Sequence, residues 1–123
     1  MCESTTYNGW TNYETWCVAL WLDNEASSSA YWREQAEECC RAAPESRRVH
    51  EWGFTPHEAA RMDLAQRLEE DIHEADPLPE SGLYSDLLGA ALSEVNWYEI
   101  AGHYVDDVAD EAAERLAEEK RHE

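Results

Sequence analysis

Four residues in the middle of the sequence are of the types that bind zinc, namely Cys39, Cys40, His50 and His57. Nine residues separate Cys40 from His50 and six separate the two histidines. This spacing matches no common zinc motif, and no His-Glu-x-x-His pattern is present. We therefore expect no metal site and no cofactor.

The sequence also lacks the usual patterns of catalysis. Its five glycines are scattered singly, so no glycine-rich loop could hold a phosphate. No nucleophile elbow and no His-Asp-Ser arrangement stands out. Carboxylates are so numerous that an adjacent pair such as Glu69 and Glu70 does not indicate acid–base chemistry. We expect a protein that is not an enzyme.

Acidic residues instead form rows on predicted helices. In the last predicted helix, at 100° per residue, five of them lie opposite the apolar stripe: Glu99, Asp106, Asp107, Asp110 and Glu114. Glu34, Glu37 and Glu38 form a second cluster at helical spacing. Two interpretations remain open: a solvated or salt-adapted surface, or imitation of nucleic-acid phosphates by carboxylates about 5–6 Å apart.

The overall charge narrows the classes of partner. The 123 residues include 28 Asp and Glu against 9 Lys and Arg, a net charge of −19. Phosphates of nucleic acids and anionic membranes repel such a chain, so we expect direct binding to neither. The polar start and the lack of a long apolar run indicate the cytoplasm of a host cell. There we expect Cys2, Cys17, Cys39 and Cys40 to be reduced.

Helix start and stop signals recur along the chain. Capping residues precede four of five predicted helices: Thr11 (with Glu14), Ser27–Ser29, Thr55 (with Pro56 and Glu58) and Asn96 (with Glu99). Residues 1–10 are expected to be a lead-in, 44–54 a loop after Pro44, and 76–82 a proline-containing turn.

Apolar spacing defines the predicted inner faces. The first helix carries an aromatic stripe of Tyr13, Trp16, Cys17, Leu20 and Trp21. The fourth carries Leu83, Leu87, Leu88, Ala91, Leu92 and Val95, with Gly89 as a weak point or a close helix contact. No segment alternates like a strand. We predict an all-α, compact single domain over residues 1–123, of about five helices with an aromatic-rich core.

Two segments resemble a known family. The run from Tyr7 to Trp16, YNGWTNYETW, and its continuation from Ala19 to Glu25 resemble small proteins of phages, prophages and plasmids that open with a GWTNYETW-like motif. The stretch from Leu83 to Trp97 is also similar to that family. The resemblance implies an origin on a mobile element, but it carries no catalytic residues to this chain.

The charge and this implied origin together favour one function. The leading hypothesis is an inhibitor that binds a basic host defence protein, a CRISPR effector or restriction complex, at its nucleic-acid groove. Its contacts would be the eight acidic residues of the two clusters: Glu99, Asp106, Asp107, Asp110, Glu114, Glu34, Glu37 and Glu38. The alternative is an acidic accessory or assembly protein that binds itself, as a homodimer, or another phage protein through aromatic surface. Exposure of Trp10, Trp32 and Trp52 as one patch would favour the alternative.

Overall fold

The computed structural model describes residues 7–121, which form six α-helices. They are α1 (Tyr13–Asn24), α2 (Ala26–Ala42), α3 (Arg47–His50), α4 (Pro56–Glu74), α5 (Leu83–Ser93) and α6 (Trp97–Arg121). Within this range the only strand-like pairing is an isolated bridge between Tyr7 and Trp10. The predicted all-α fold is confirmed. Most of the predicted lead-in, including Cys2 and Glu3, and also Glu123 lie outside the described residues.

Helix α3, at Arg47–His50, is additional to the five predicted helices and lies where the sequence predicts a loop. The prediction for residues 44–54 is therefore wrong in its first half. Pro44 ends α2 as expected, within a 3-10 helix at Ala43–Glu45. Ser46 then caps α3, because its side chain accepts a hydrogen bond from the Arg48 N–H at 3.0 Å. A single turn is too short to produce a helical period in the sequence. The sequence therefore predicts five helices rather than six.

The core lies between α2, α4 and α6, which pack against one another. Its central aliphatic side chains come from α4 and α6: Leu64, Leu68, Ile100 and Val105. Trp32, Trp97 and Tyr104 are buried in the same cluster, so the predicted aromatic core is confirmed for these three. All three helices also contribute buried alanines to this core: Ala36, Ala59, Ala60 and Ala101.

The orientation predicted for α1 is wrong. Its buried residues are Thr15 and Ala19, and Val18 and Leu22 pack beside them. The predicted inner stripe faces the other way: Tyr13, Leu20 and Trp21 are exposed, and Trp16 and Cys17 are half-buried. Both sides of this helix carry apolar residues, so spacing alone could not decide which side turns inward.

Helix α5 also departs from its predicted packing. Among its described side chains Leu92 is buried, whereas Leu83 and Leu87 are exposed. Gly89 is exposed with open space around it, so it marks no close helix contact. In the segment before α5, the Leu78 N–H donates to the Asp76 carboxylate at 2.8 Å.

The predicted helix caps agree with the structure at some helices and not at others. At α4 the full capping box is present: Thr55 accepts from the Glu58 N–H, and the Glu58 carboxylate accepts from the Thr55 N–H. The serine cap predicted for α2 is wrong. Helix α2 begins one residue after Glu25, which separates it from α1, and Ser27–Ser29 lie inside its first turn. Asn96 caps α6 as predicted.

Candidate functional site

The opening motif begins a hydrogen-bonded junction at the start of α1. Asn12, rather than the predicted Thr11, is the N-cap, and its Oδ1 accepts from the Thr15 N–H at 2.9 Å. The Asn12 side-chain amide donates to the Glu94 carbonyl oxygen at 2.7 Å. A partner that lies 82 residues away in the sequence therefore helps to fix the position of this cap.

Thr15 connects this start to that of α6. Its fully buried hydroxyl donates to Asn12 Oδ1 at 2.6 Å and accepts from the Asn96 N–H at 2.9 Å. The Asn96 side chain caps α6 through the Glu99 N–H. The Glu99 carboxylate in turn accepts from the Thr11 N–H at 2.9 Å. Both segments of the family resemblance thus meet in one structural junction.

Glu99 is consequently set apart from the other predicted contact residues. It is half-buried, and its carboxylate is engaged by the start of α1. Next to the junction, the ring of Trp10 stacks on His103 of α6, with 4.2 Å between ring centroids. Through the Trp10 ring and these polar contacts, the opening motif positions the start of α1 against α6.

The other predicted acids of α6 share its outer side. We call this the acidic face, and it consists of the predicted residues Asp106, Asp107, Asp110 and Glu114 together with Glu111, which was not among the predicted residues. All five are exposed, opposite the buried Tyr104, Val105 and Val108. From residue 109 to residue 121 every residue of α6 is exposed, so the helix extends past the core by about 20 Å at 1.5 Å per residue.

Two basic side chains border the acidic face. Arg33 of α2 pairs with Asp107 at 3.7 Å and with Glu111. His57 of α4 contacts Asp106, with 3.0 Å between Nε2 and Oδ1, and this contact is an ion pair only when the histidine is protonated. Asp110 and Glu114 have no ion pair or side-chain hydrogen bond within the described chain. Helical spacing within α6 predicts neither basic neighbour, because Arg33 and His57 come from other helices.

The second predicted cluster, Glu34, Glu37 and Glu38, lies on α2, and we call it the α2 patch. Two of its three carboxylates are paired with arginines. Glu37 lies 4.0 Å from Arg41, and Glu38 lies 3.7 Å from Arg67 of α4. Arg67 also donates to the Gln35 side chain at 2.8 Å, which ties α2 to α4. Glu34 is exposed and has no ion pair among residues 7–121.

The acidic face and the α2 patch do not merge into one uninterrupted surface. A groove of about 320 Å³ runs between α2 and α6, and Arg41 and Arg115 are among the residues that line it. Arg33 of α2 also connects these two helices, because it pairs with Asp107 and Glu111 of α6. Positive charge therefore separates the two clusters, and among their carboxylates Asp110 and Glu114 on α6 and Glu34 on α2 have no ion pair within residues 7–121.

A second exposed surface has the opposite chemistry. We call it the apolar face, and it consists of Tyr7, Tyr13, Trp16, Cys17, Leu20 and Trp21 at α1 with Leu83, Tyr84 and Leu87 on α5. Trp21 is 68% and Tyr84 73% exposed. The rings of Tyr7, Tyr13 and Trp16 contact one another, with centroids 5.0 to 5.5 Å apart.

An apolar cleft joins the two helices of this face. It measures about 170 Å³, and its lining is apolar except for Glu14: Tyr13, Glu14, Cys17 and Val18 of α1, Leu88, Ala91 and Leu92 of α5, and Val95. By contrast, the three tryptophans proposed as a discriminating patch do not form one. Trp32 is buried, Trp10 is half-buried against His103, and Trp52 is exposed beside Arg48.

The described cysteines have the character of packed thiols. Burial raises the pKa of Cys39 to about 11 and also raises the pKa of half-buried Cys40, which disfavours the nucleophilic thiolate. Cys17, Cys39 and Cys40 are free of disulfides. In residues 7–121, no group of three or more His, Cys, Asp or Glu side chains is arranged to hold a metal ion. No helix of this part of the chain is long and apolar enough to cross a membrane.

The fold and its exposed surfaces define a small all-α protein with two chemically opposite faces. The sequence model of a family of unknown function, DUF7249, matches residues 3–120, and the chain therefore belongs to this family. No curated protein and no solved structure matches the chain. The mobile-element origin implied by the opening motif stays a prediction.

Proposed function

We propose that the protein is a non-enzymatic inhibitor from a mobile element. It binds the basic nucleic-acid groove of a host defence protein, either a CRISPR effector or a restriction complex. One observation carries this proposal: Asp106, Asp110 and Glu114 form an exposed row at i, i+4 and i+8 along the outer side of α6.

Helix geometry supports the use of this row in place of phosphates. Residues four apart on a helix are separated by about 6 Å along its axis, the same order as the spacing of charges along a nucleic-acid strand. A rigid helix holds these carboxylates before binding, so little conformational entropy is lost on association. With a net charge of −19 the chain is steered toward a basic groove and away from nucleic acid itself.

The projecting half of α6 gives the row access to a concave site. Asp110 and Glu114 lie beyond the last buried residue, Val108, where no other helix covers them. The α2 patch contributes less to this proposal because Glu37 and Glu38 are already paired. Glu99 takes no part, since its carboxylate is bound to the α1 start.

The test is inhibition of DNA cleavage by a panel of purified CRISPR effector complexes and restriction enzymes. The triple variant Asp106→Lys, Asp110→Lys, Glu114→Lys should lose inhibition and competition with DNA. The matched control reverses Glu69, Glu74 and Glu80, which are exposed acids outside the acidic face, and has the same net charge. It should keep most of the inhibition.

Two results would contradict the proposal. One is that the wild-type protein inhibits no member of the panel. The other is that both triple variants lose activity equally, which would make the acidity a general property of the surface. Circular dichroism of both variants confirms that the helices remain, as expected for substitutions on exposed positions.

The apolar face favours the second candidate, an accessory or assembly protein that works through aromatic surface. Exposed contiguous apolar patches on small proteins usually mark binding sites. An inhibitor that uses α6 does not explain why Trp21 and Tyr84 are exposed.

A further inference from the structure

The size of the apolar face is the first indication of what covers it. Seven of its side chains are exposed by 36% to 73%. With about 200 Å² for an aromatic side chain and somewhat less for leucine, their exposed parts amount to roughly 700 Å². The largest apolar patch on a typical monomer is about 300–600 Å². A stable interface of standard size buries about 1,200–2,000 Å² in total, or about 600–1,000 Å² on each partner, so this face reaches the lower part of that range.

The shape of the face suits a copy of itself. Helix α1 starts where α5 ends, because Asn12 donates to the Glu94 carbonyl oxygen, and the apolar cleft opens between the two helices. Leu83 and Leu87 form an exposed ridge one turn apart on α5. A two-fold interface requires complementary features within the same surface. A cleft and a ridge on one face meet that requirement.

The distribution of charge also permits a second copy. Two chains of −19 repel each other, so they can associate only where few carboxylates face one another. From residue 13 to residue 22 the sequence contains one acid, Glu14, and from residue 83 to residue 92 it also contains one, Asp86. The apolar face is therefore a place where two copies can approach without opposing rows of acids.

We propose that the apolar face binds a second copy of this chain, with the α5 ridge of each protomer in the α1–α5 cleft of the other. The dimer is held by apolar burial and opposed by charge repulsion. This inference is independent of the inhibitor role, because dimerisation uses α1 and α5 whereas inhibition uses α6.

Sedimentation equilibrium with salt as a variable tests this dimer. Raising the salt from about 0.1 M to about 1 M shortens the screening length from about 10 Å to about 3 Å. Because salt screens the repulsion but leaves the apolar contact, the wild-type dimer should become tighter. Binding through the acidic face should instead weaken, so the two surfaces are distinguished by opposite salt responses.

Single substitutions locate the interface. Trp21→Ala and Leu87→Ala should each weaken dimerisation about tenfold or more, as expected for central apolar contacts. The matched control is Trp52→Ala, because Trp52 is 57% exposed but lies outside the apolar face. It should dimerise like the wild type. The triple lysine variant of the acidic face should also dimerise, even when it no longer inhibits.

Alkylation gives a second readout that does not rely on a substitution. Cys17 lines the apolar cleft, whereas Cys40 lines the groove between α2 and α6. By site-resolved mass spectrometry, the alkylation rate of Cys17 should fall as protein concentration rises, and that of Cys40 should not.

A wild-type protein that stays monomeric in high salt would overturn the proposal and leave the face to a different partner. It would also be overturned by a dimer that weakens with salt, or by one that Trp52→Ala disrupts as much as Trp21→Ala does.

Discussion

Helices α1 and α6 begin side by side at one hydrogen-bonded junction, yet they expose opposite kinds of surface. Helix α6 buries its apolar stripe and turns its acids to solvent. Helix α1 buries Thr15 and Ala19 and turns its aromatic stripe outward. The packing of α6 follows hydrophobic burial. The packing of α1 follows the buried Thr15 hydroxyl, which has a hydrogen-bonding partner on each side.

This difference shows what a large aromatic stripe does and does not predict. It predicts that a helix forms, but it does not determine which side meets the core when the other side offers small apolar residues. A tightly bound hydroxyl can fix the orientation, since a buried polar group without its partners is costly. The displaced aromatic stripe then becomes a surface for binding.

Breaking the Thr15 contacts should have the largest effect on this arrangement. Thr15→Val keeps the volume but leaves the Asn96 N–H without its acceptor, and Asn12 Oδ1 keeps only the bond from the Thr15 N–H. We expect a loss of about 1–3 kcal/mol in the free energy of unfolding, measured in urea. The control Thr15→Ser retains the hydroxyl and should lose less. A Thr15→Val protein as stable as the wild type would show that the hydroxyl does not hold α1 in place.

The two possible caps of α1 should differ by a smaller amount. Asn12→Ala removes the cap and the bond to the Glu94 carbonyl, so we expect a loss of about 1–2 kcal/mol in thermal or urea unfolding. Thr11→Ala removes only a long contact, in which the Thr11 hydroxyl accepts from the Asn96 amide at 3.3 Å. Its effect should be a few tenths of a kcal/mol. The reverse order would place the cap at Thr11.

A pH effect tests how the far end of α1 is fastened to α6. The Tyr104 hydroxyl donates to Asp23 at 2.7 Å, and burial together with this carboxylate raises the pKa of Tyr104 above its ordinary value. Since the folded state favours the neutral phenol, its contribution to stability is complete below the unfolded pKa of about 10. That contribution is lost as the pH rises through the folded pKa.

Absorbance of tyrosinate during an alkaline titration of the folded protein measures this shift. One tyrosine should ionise later than the others, and Tyr104→Phe should remove that late component. Tyr31→Phe should leave it in place, although desolvation and the nearby Asp71 also raise the pKa of Tyr31. If Tyr104→Phe leaves the titration unchanged, the link between Asp23 and Tyr104 does not form in solution.

Local signals account for the parts of the fold that the sequence predicts well. At α4, Thr55, Pro56 and Glu58 specify a capping box within four residues, and no distant contact is required. The start of α1 is different, because Thr11 and Asn12 are both suitable caps. The Glu94 carbonyl, which is remote in sequence, favours Asn12. Short elements such as α3 lie below the length at which a period can be recognised.

In the candidate site, too, local pattern predicts some features, and contacts between distant parts of the chain determine the rest. Helical angle alone placed Asp106, Asp110 and Glu114 on the exposed side of α6, and the structure has them there. The same angle placed Glu99 with them, but its carboxylate accepts from the Thr11 N–H, which belongs to the segment before α1. The apolar face escaped prediction because helical spacing assigns most of its residues, the α1 stripe with Leu83 and Leu87 of α5, to the core.

The orientation of α1 is the central claim, and a pair of tryptophan substitutions tests it most directly. The measurement is the free energy of unfolding in urea, at a protein concentration where the wild type sediments as a monomer. Trp32→Ala empties a buried site and should cost about 3–5 kcal/mol. Trp21→Ala should change stability by less than about 0.5 kcal/mol, as a surface substitution does. A loss at Trp21 as large as that at Trp32 would contradict this orientation, because it would mean that the aromatic stripe of α1 packs in the core.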